Sequence, residues 1–98
     1  MKEVTVQEVQ KLLAAKEPIA LIDVREADEL GSGKIPGVIH IPLGLLEFKL
    51  QDLSKDTPYI MVCRSGARSG RATQLLESHG YQATNMVGGM MNWDGTIE

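Results

Sequence analysis

The sequence is short of the residues that build disulfides and metal sites, since it holds one cysteine and two histidines. A single cysteine excludes an internal disulfide, and these side chains cannot provide a zinc-ligand spacing, so no metal is expected. A membrane span needs a run of about 18 apolar residues. No apolar run in the sequence is that long, so no membrane contact is expected. The amino terminus also lacks the apolar stretch of a signal peptide, and we therefore expect a cytoplasmic protein or a mature domain whose targeting segment is missing.

Excess positive charge is missing as well. Lys and Arg number 10 against 13 Asp and Glu, for a net charge of −3, whereas a general nucleic-acid binder is basic overall. Nucleic acid is therefore not an expected partner. The length of 98 residues and the hydrophobic content of 43% are typical of one small globular domain. We expect residues 1–98 to form that domain and to act as a monomer.

Apolar runs alternate with segments of helical periodicity along the chain, which predicts an α/β fold. The run at 19–24 is nearly continuous, as in a strand covered on both faces of a parallel sheet. Thr5 and Glu8 have the spacing of a capping box at the start of the first helix. The other predicted elements are helices at 6–15, at 43–51 and ending at Gly80, a helical turn at 25–30, and strands at 38–41, 59–63 and 81–87.

Cys63 stands where the strand at 59–63 ends, which is the position at which open parallel sheets bind ligands. A lone cysteine at the end of a buried strand is ordinarily a packing residue. The polar, glycine-containing loop that follows brings Arg64, Arg68 and Arg71 close by in sequence. A core cysteine needs neither backbone donors nor clustered cations, so the loop favours a chemical role for the thiol.

The loop after the strand has the composition of an anion-binding site. Backbone N–H groups from 64 to 69, with the N-terminus of the next helix, can form a concave nest. Gly66 permits the positive φ that such a loop requires. The helix dipole and nearby guanidinium groups lower the pKa of a thiol from about 8.5 toward neutrality. The loop therefore predicts that Cys63 is a nucleophile held as a thiolate.

With these features the chain resembles a single-domain rhodanese, of the thiosulfate sulfurtransferase family. The residues at 63–69, Cys-Arg-Ser-Gly-Ala-Arg-Ser, match the active-site loop of that family. The segments 21–26 and 35–42 match its two amino-terminal motifs, and Gly88-Gly89 followed by Trp93 matches its carboxyl-terminal pattern. The similarity covers nearly the whole chain in the family's order and spacing.

The resemblance implies a three-layer α/β/α sandwich around a five-stranded parallel sheet, with sulfur carried as a persulfide on Cys63. Thiosulfate or another persulfide donor would supply the sulfur, a thiol or cyanide would accept it, and no cofactor is expected. The alternative is a sulfur-carrier or interaction module that a protein partner loads, with little thiosulfate turnover. The loop residues expected to bind substrate are Arg64, Ser65, Gly66, Ala67, Arg68 and Ser69.

Two comparisons with family patterns refine this expectation. Four residues separate Cys63 from Arg68, whereas cysteine phosphatases have five, and Val62 stands where the tyrosine-phosphatase signature has histidine. The shorter loop suits the single outer sulfur of a persulfide, so phosphatase activity is the less favoured hypothesis. Lys34 and Leu30 depart from the usual rhodanese residues, which puts local packing and substrate choice in question.

Three residues outside the loop are candidates for supporting roles. For Asp23, at the end of a buried strand, a salt bridge with Arg25 is favoured over a role as general base. Arg25 either lines the mouth of the site or is solvated, and Trp93 either walls the pocket or seals the edge of the domain. Chiefly core positions are expected for Leu43, Leu45, Leu46 and Phe48, with any exposed remainder able to dock a protein acceptor or donor. For Met90 and Met91, core packing is favoured over a place beside the active-site loop, which the resemblance implies.

Overall fold

The computed structural model describes residues 1–98 and contains one parallel sheet of five strands in the order β1-β5-β4-β2-β3. The strands are β1 (Glu3–Thr5), β2 (Ala20–Asp23), β3 (Ile39–His40), β4 (Pro58–Val62) and β5 (Gln82–Val87). The α-helices are α1 (Val6–Ala14), α2 (Leu43–Leu46) and α3 (Ala67–Ser78). Short 3-10 helices cover Ala27–Ser32, Glu47–Asp52 and Met90–Asn92.

Two separate hydrophobic cores lie on the two faces of the sheet. Side chains alternate between the faces along each strand, so Leu21 packs with α1 while its neighbour Ile22 packs with α2 and α3. Val62, the last residue of β4, and Cys63, which follows it, likewise belong to opposite cores. Helices therefore cover both faces, and the expected α/β/α sandwich with a five-stranded parallel sheet is confirmed.

The ends of both long helices match the sequence prediction. Thr5 caps α1, with its hydroxyl accepting from the Glu8 amide and the Glu8 carboxylate accepting from the Thr5 amide. Gly80 follows the last residues of α3 with a φ of 85°, which a residue with a Cβ adopts only with strain. These local signals fix where the two helices that flank the sheet begin and end.

Two features of the fold differ from the secondary structure predicted from the sequence. The edge strand β1 was not among the predicted segments, because three residues are too few to show a period. The helix predicted at 43–51 is wrong, since the α-helix ends at Leu46 and a 3-10 helix follows. Leu45 of the α-helix and Phe48 of the 3-10 helix both face outward, and they are 49% and 72% exposed. Their expected core positions are therefore also wrong.

The central strand β4 sets the position of the candidate site. Its neighbours are β2 on one side and β5 on the other, and all three run in the same direction. Their carboxyl ends consequently meet at one edge of the sheet, which brings together the residues that follow each strand. No helix in this structure combines the length and the apolar character that crossing a membrane requires.

Candidate active site

The loop after β4 carries Cys63 directly into α3. Gly66 occupies the N-cap of this helix with a φ of 104°, so the predicted left-handed glycine is confirmed. A Cβ at Gly66 would lie 3.3 Å from the Gly88 amide nitrogen, so side-chain space is lacking as well. The reversal at Gly66 points backbone amides back toward the end of the strand.

The sulfur of Cys63 is enclosed by hydrogen-bond donors. The Gly66 amide donates to Sγ at 3.0 Å, and the Ser69 hydroxyl lies 3.2 Å from it. The residue is 0% exposed. Burial acts to raise the pKa of the Cys63 thiol, but the Ser69 hydroxyl and the amides of Ser69, Gly66 and Ser65 outweigh it, so the pKa is lowered. The loop itself thus lowers the free energy of the thiolate relative to the thiol.

Asn85 of β5 holds this loop from behind and was missed in the sequence. The single hydroxyl hydrogen of Ser69 has two acceptors within reach, Asn85 Oδ1 at 2.5 Å and Cys63 Sγ at 3.2 Å, while Asn85 Nδ2 donates to the Gly66 carbonyl at 3.1 Å. The side chain is buried, so both contacts are sheltered from water. Three of the six residues of β5 are polar, so no local signal singled out Asn85. Asn85 fixes the two residues that contact the sulfur.

Glu29 is the second residue that sequence reasoning missed. Its carboxylate accepts two hydrogen bonds from the Arg68 guanidinium, both at 2.7 Å, and a third from the Glu26 amide at 2.7 Å. The Arg68 hydrogen bonds and then the Glu26 amide lower the pKa of Glu29 to about 2. Arg68 therefore holds the loop against the 3-10 helix at Ala27–Ser32. Its expected contact with substrate stays a prediction.

Asp23 and Arg25 form a buried ion pair next to the loop. The Arg25 Nη2 atom lies 2.8 Å from Asp23 Oδ2, and Nε donates to the same carboxylate at 3.0 Å. Arg25 also donates to the Gly33 carbonyl at 2.9 Å. Both carboxylate oxygens are engaged, which matches the favoured structural role of Asp23. Arg25 is buried rather than solvated, yet it still borders the mouth of the site.

A cavity of about 380 Å³ opens beside the loop. Cys63 is not part of its wall, so the sulfur becomes reachable only when a covering group moves. Arg64 is exposed and has no side-chain hydrogen bond or ion pair, whereas Arg71 borders a different cavity. The residues that line the first cavity are Arg25, Glu29, Ser32, Arg64, Met90 and Met91.

The Gly88-Gly89 turn brings the methionines to this mouth. Beyond it, the amides of Met90 and Met91 donate to the carbonyls of Cys63 and Arg64, each at 2.9 Å. Met91 is 65% exposed, so its expected core position is wrong. The turn therefore ties the end of β5 to the first residues of the loop that follows β4.

Trp93 lies away from the sulfur. It packs against the core on the α1 side and borders a cavity there, and its indole N–H donates to the Thr96 carbonyl at 3.1 Å. Of its two expected roles, the structure thus favours sealing the domain edge. Lys34, one of the departures from the family pattern, exchanges two backbone hydrogen bonds with Glu98.

Comparisons with known proteins agree with this geometry. The family model "Rhodanese-like domain" matches residues 5–96. YtwF of Bacillus subtilis is 39% identical over 95 residues, which cover 97% of this chain and 92% of YtwF. A protein of Allochromatium vinosum named "Sulfurtransferase" is 32% identical, with coverages of 95% and 88%. The crystal structure of a rhodanese-like domain protein from Staphylococcus aureus superposes with a TM-score of 0.94 at 34% identity, with coverages of 100% and 97%.

Proposed function

Since this chain belongs to the rhodanese-like domain family, we propose that it is a sulfurtransferase that carries sulfane sulfur as a persulfide on Cys63. The observation that carries the proposal is the Gly66 amide 3.0 Å from Sγ, which serves no purpose for a cysteine that only packs. The relative from Allochromatium vinosum that is named a sulfurtransferase supports sulfur transfer in general.

The proposed reaction has two half-reactions that share the enzyme persulfide. The Cys63 thiolate attacks the outer sulfur of thiosulfate, the sulfur–sulfur bond breaks, and sulfite leaves with the bonding pair. A nucleophile such as cyanide or a thiolate then attacks the outer sulfur of the persulfide and regenerates the Cys63 thiolate. The chain has no second cysteine, so the acceptor must come from another molecule. No step calls for a cofactor.

The loop residues have separate roles in this proposal. The amides of Ser65, Gly66 and Ser69 stabilise negative charge on sulfur, and they are in place before the donor arrives, so little reorganisation is needed. Arg64 is the free cation that would meet an anionic donor, while Ala67 begins the helix behind the loop. We further propose that residues 1–98 work as one domain, as a cytoplasmic monomer without nucleic-acid or membrane contact.

The test is sulfur loading followed by sulfur release. After incubation with thiosulfate and removal of excess donor, mass spectrometry should find one additional sulfur atom on Cys63, and cyanide should remove it as thiocyanate. Loading without turnover by thiosulfate, but with turnover by a persulfidated protein, would favour the carrier alternative. A chain that gains no sulfur from any sulfane donor would contradict the proposal.

The reactivity of Cys63 should depend on pH as expected of a thiol with a lowered pKa. Thiolate is the reacting form, so alkylation by iodoacetamide should reach half its maximal rate at a lower pH than for a cysteine in an unfolded peptide. Replacing Ser69 by alanine removes the first of the stabilising hydrogen bonds and should move the midpoint to higher pH. A pH midpoint at or above that of the peptide would show that burial raises the pKa of Cys63 by more than the loop hydrogen bonds lower it.

A further inference from the structure

The cations around the site are matched by carboxylates. Arg25 is paired with Asp23, and Arg68 donates two hydrogen bonds of 2.7 Å to Glu29. Arg64 lines the cavity without a partner, and Arg71, which is also unpaired, borders a different cavity. The first cavity therefore offers an incoming donor one unpaired guanidinium, although Arg25, Arg64 and Arg68 all lie near the loop.

The sum of charges at the site is negative once the thiolate is included. The positive groups are the three guanidinium groups. The negative groups are the carboxylates of Asp23, Glu29 and Glu26 and the Cys63 thiolate, and Glu26 also acts on Arg68. Three positive and four negative charges leave a formal balance of −1. A dianion approaching the thiolate is repelled by this balance more strongly than a monoanion is.

The wall of the mouth suits an organic group. Met90 and Met91 line the cavity with thioether side chains, and Glu29 borders it together with Arg25 and Arg64, whereas Arg68 is not part of the wall. Flexible methionine side chains adapt to apolar groups of varied shape. A small hydrated dianion gains nothing from the thioether groups, and it loses free energy beside the Glu29 carboxylate.

We propose that this site prefers organic sulfur donors to the dianion thiosulfate. The preferred donors carry at most one negative charge near the outer sulfur, as persulfides and thiosulfonates do. Glu29 sets this preference by neutralising Arg68. The proposal rests on the proposed function. With a persulfide R–S–SH, the Cys63 thiolate attacks the outer sulfur, R–S⁻ leaves with the bonding pair, and the proton stays on the new Cys63 persulfide. With a thiosulfonate R–SO₂–S⁻, the leaving group is the sulfinate R–SO₂⁻ and the persulfide is formed as the anion.

The test compares two donors that differ in charge and share the acceptor cyanide: thiosulfate, a dianion, and benzenethiosulfonate, a monoanion. Glu29→Gln removes one negative charge and leaves an oxygen that can accept from Arg68. We expect kcat/KM for thiosulfate, divided by kcat/KM for benzenethiosulfonate, to rise roughly three- to tenfold, the effect of about one unit charge near a protein surface. Higher ionic strength should raise the same ratio in the wild-type protein, because salt screens the repulsion.

Asp28→Asn is the matched control, because Asp28 lies on the same 3-10 helix, is exposed and has no hydrogen-bond partner on the loop. Its donor ratio should stay near the wild-type value. An unchanged ratio in Glu29→Gln, or an equal rise in both variants, overturns the role of Glu29. Transfer from benzenethiosulfonate shows that each variant is folded. If the wild-type protein forms thiocyanate from neither donor, the proposed function itself has failed rather than the donor preference.

Discussion

Replacing Cys63 by serine should lower thiocyanate formation by roughly 10³-fold or more, because covalent catalysis is lost. The serine oxygen can still accept from the Gly66 amide, which now donates to sulfur at 3.0 Å. A hydroxyl is far less acidic than a thiol, however, and remains protonated in the loop, so it cannot attack a sulfane sulfur. The measurement is steady-state thiocyanate formation by the wild-type and variant proteins, with mass spectrometry of both after exposure to donor.

The control for this substitution must separate lost chemistry from lost structure. Cys63 is buried in the core on the α3 side, and serine has nearly the same shape, so the variant should unfold at a similar urea concentration. Activity that falls while stability is retained assigns the loss to sulfur. A variant that keeps a substantial part of the wild-type rate would mean that sulfur does not pass through Cys63.

The main features of the loop were predictable because they are local. The sequence places Cys63 after an apolar run, Gly66 three residues later, and a helix directly afterwards. The positive φ of Gly66 and the helix start follow from this order of residues. The amide that reaches the sulfur comes from only three residues away, so no knowledge of the rest of the fold is needed to anticipate it.

The partners of the loop were not predictable in the same way. Glu29 is 39 residues from Arg68 and Asn85 is 16 from Ser69, so each contact exists only after the strands have paired. In the sequence Glu29 sits among charged residues that look like solvated surface. The consequence is functional as well as structural, since Arg68 reads as a free cation in the sequence and is paired in the fold.

Substitution of Gly89 by alanine should lower the free energy of unfolding by about 2–4 kcal/mol, since a steric clash and a strained backbone add together. Gly89 has a φ of 59° and a ψ of −164°, a combination that essentially only glycine adopts. A Cβ there would also lie 2.4 Å from the Arg64 carbonyl oxygen and 2.7 Å from that of Cys63. These atoms are backbone and cannot rotate away, so the loop that carries Cys63 must itself shift.

Urea unfolding measures this effect, and Gly31→Ala provides the matched control. A Cβ at Gly31 meets no atom within 4 Å, and its φ lies outside the left-handed region, so its midpoint should change little. The two variants should also differ in activity, because Gly89 precedes the two amides that hold the carbonyls of Cys63 and Arg64. Equal urea midpoints for the two variants would mean that the Gly88-Gly89 turn accommodates a Cβ without any loss in the free energy of unfolding. The turn would then not be what keeps the loop amides in place around the sulfur.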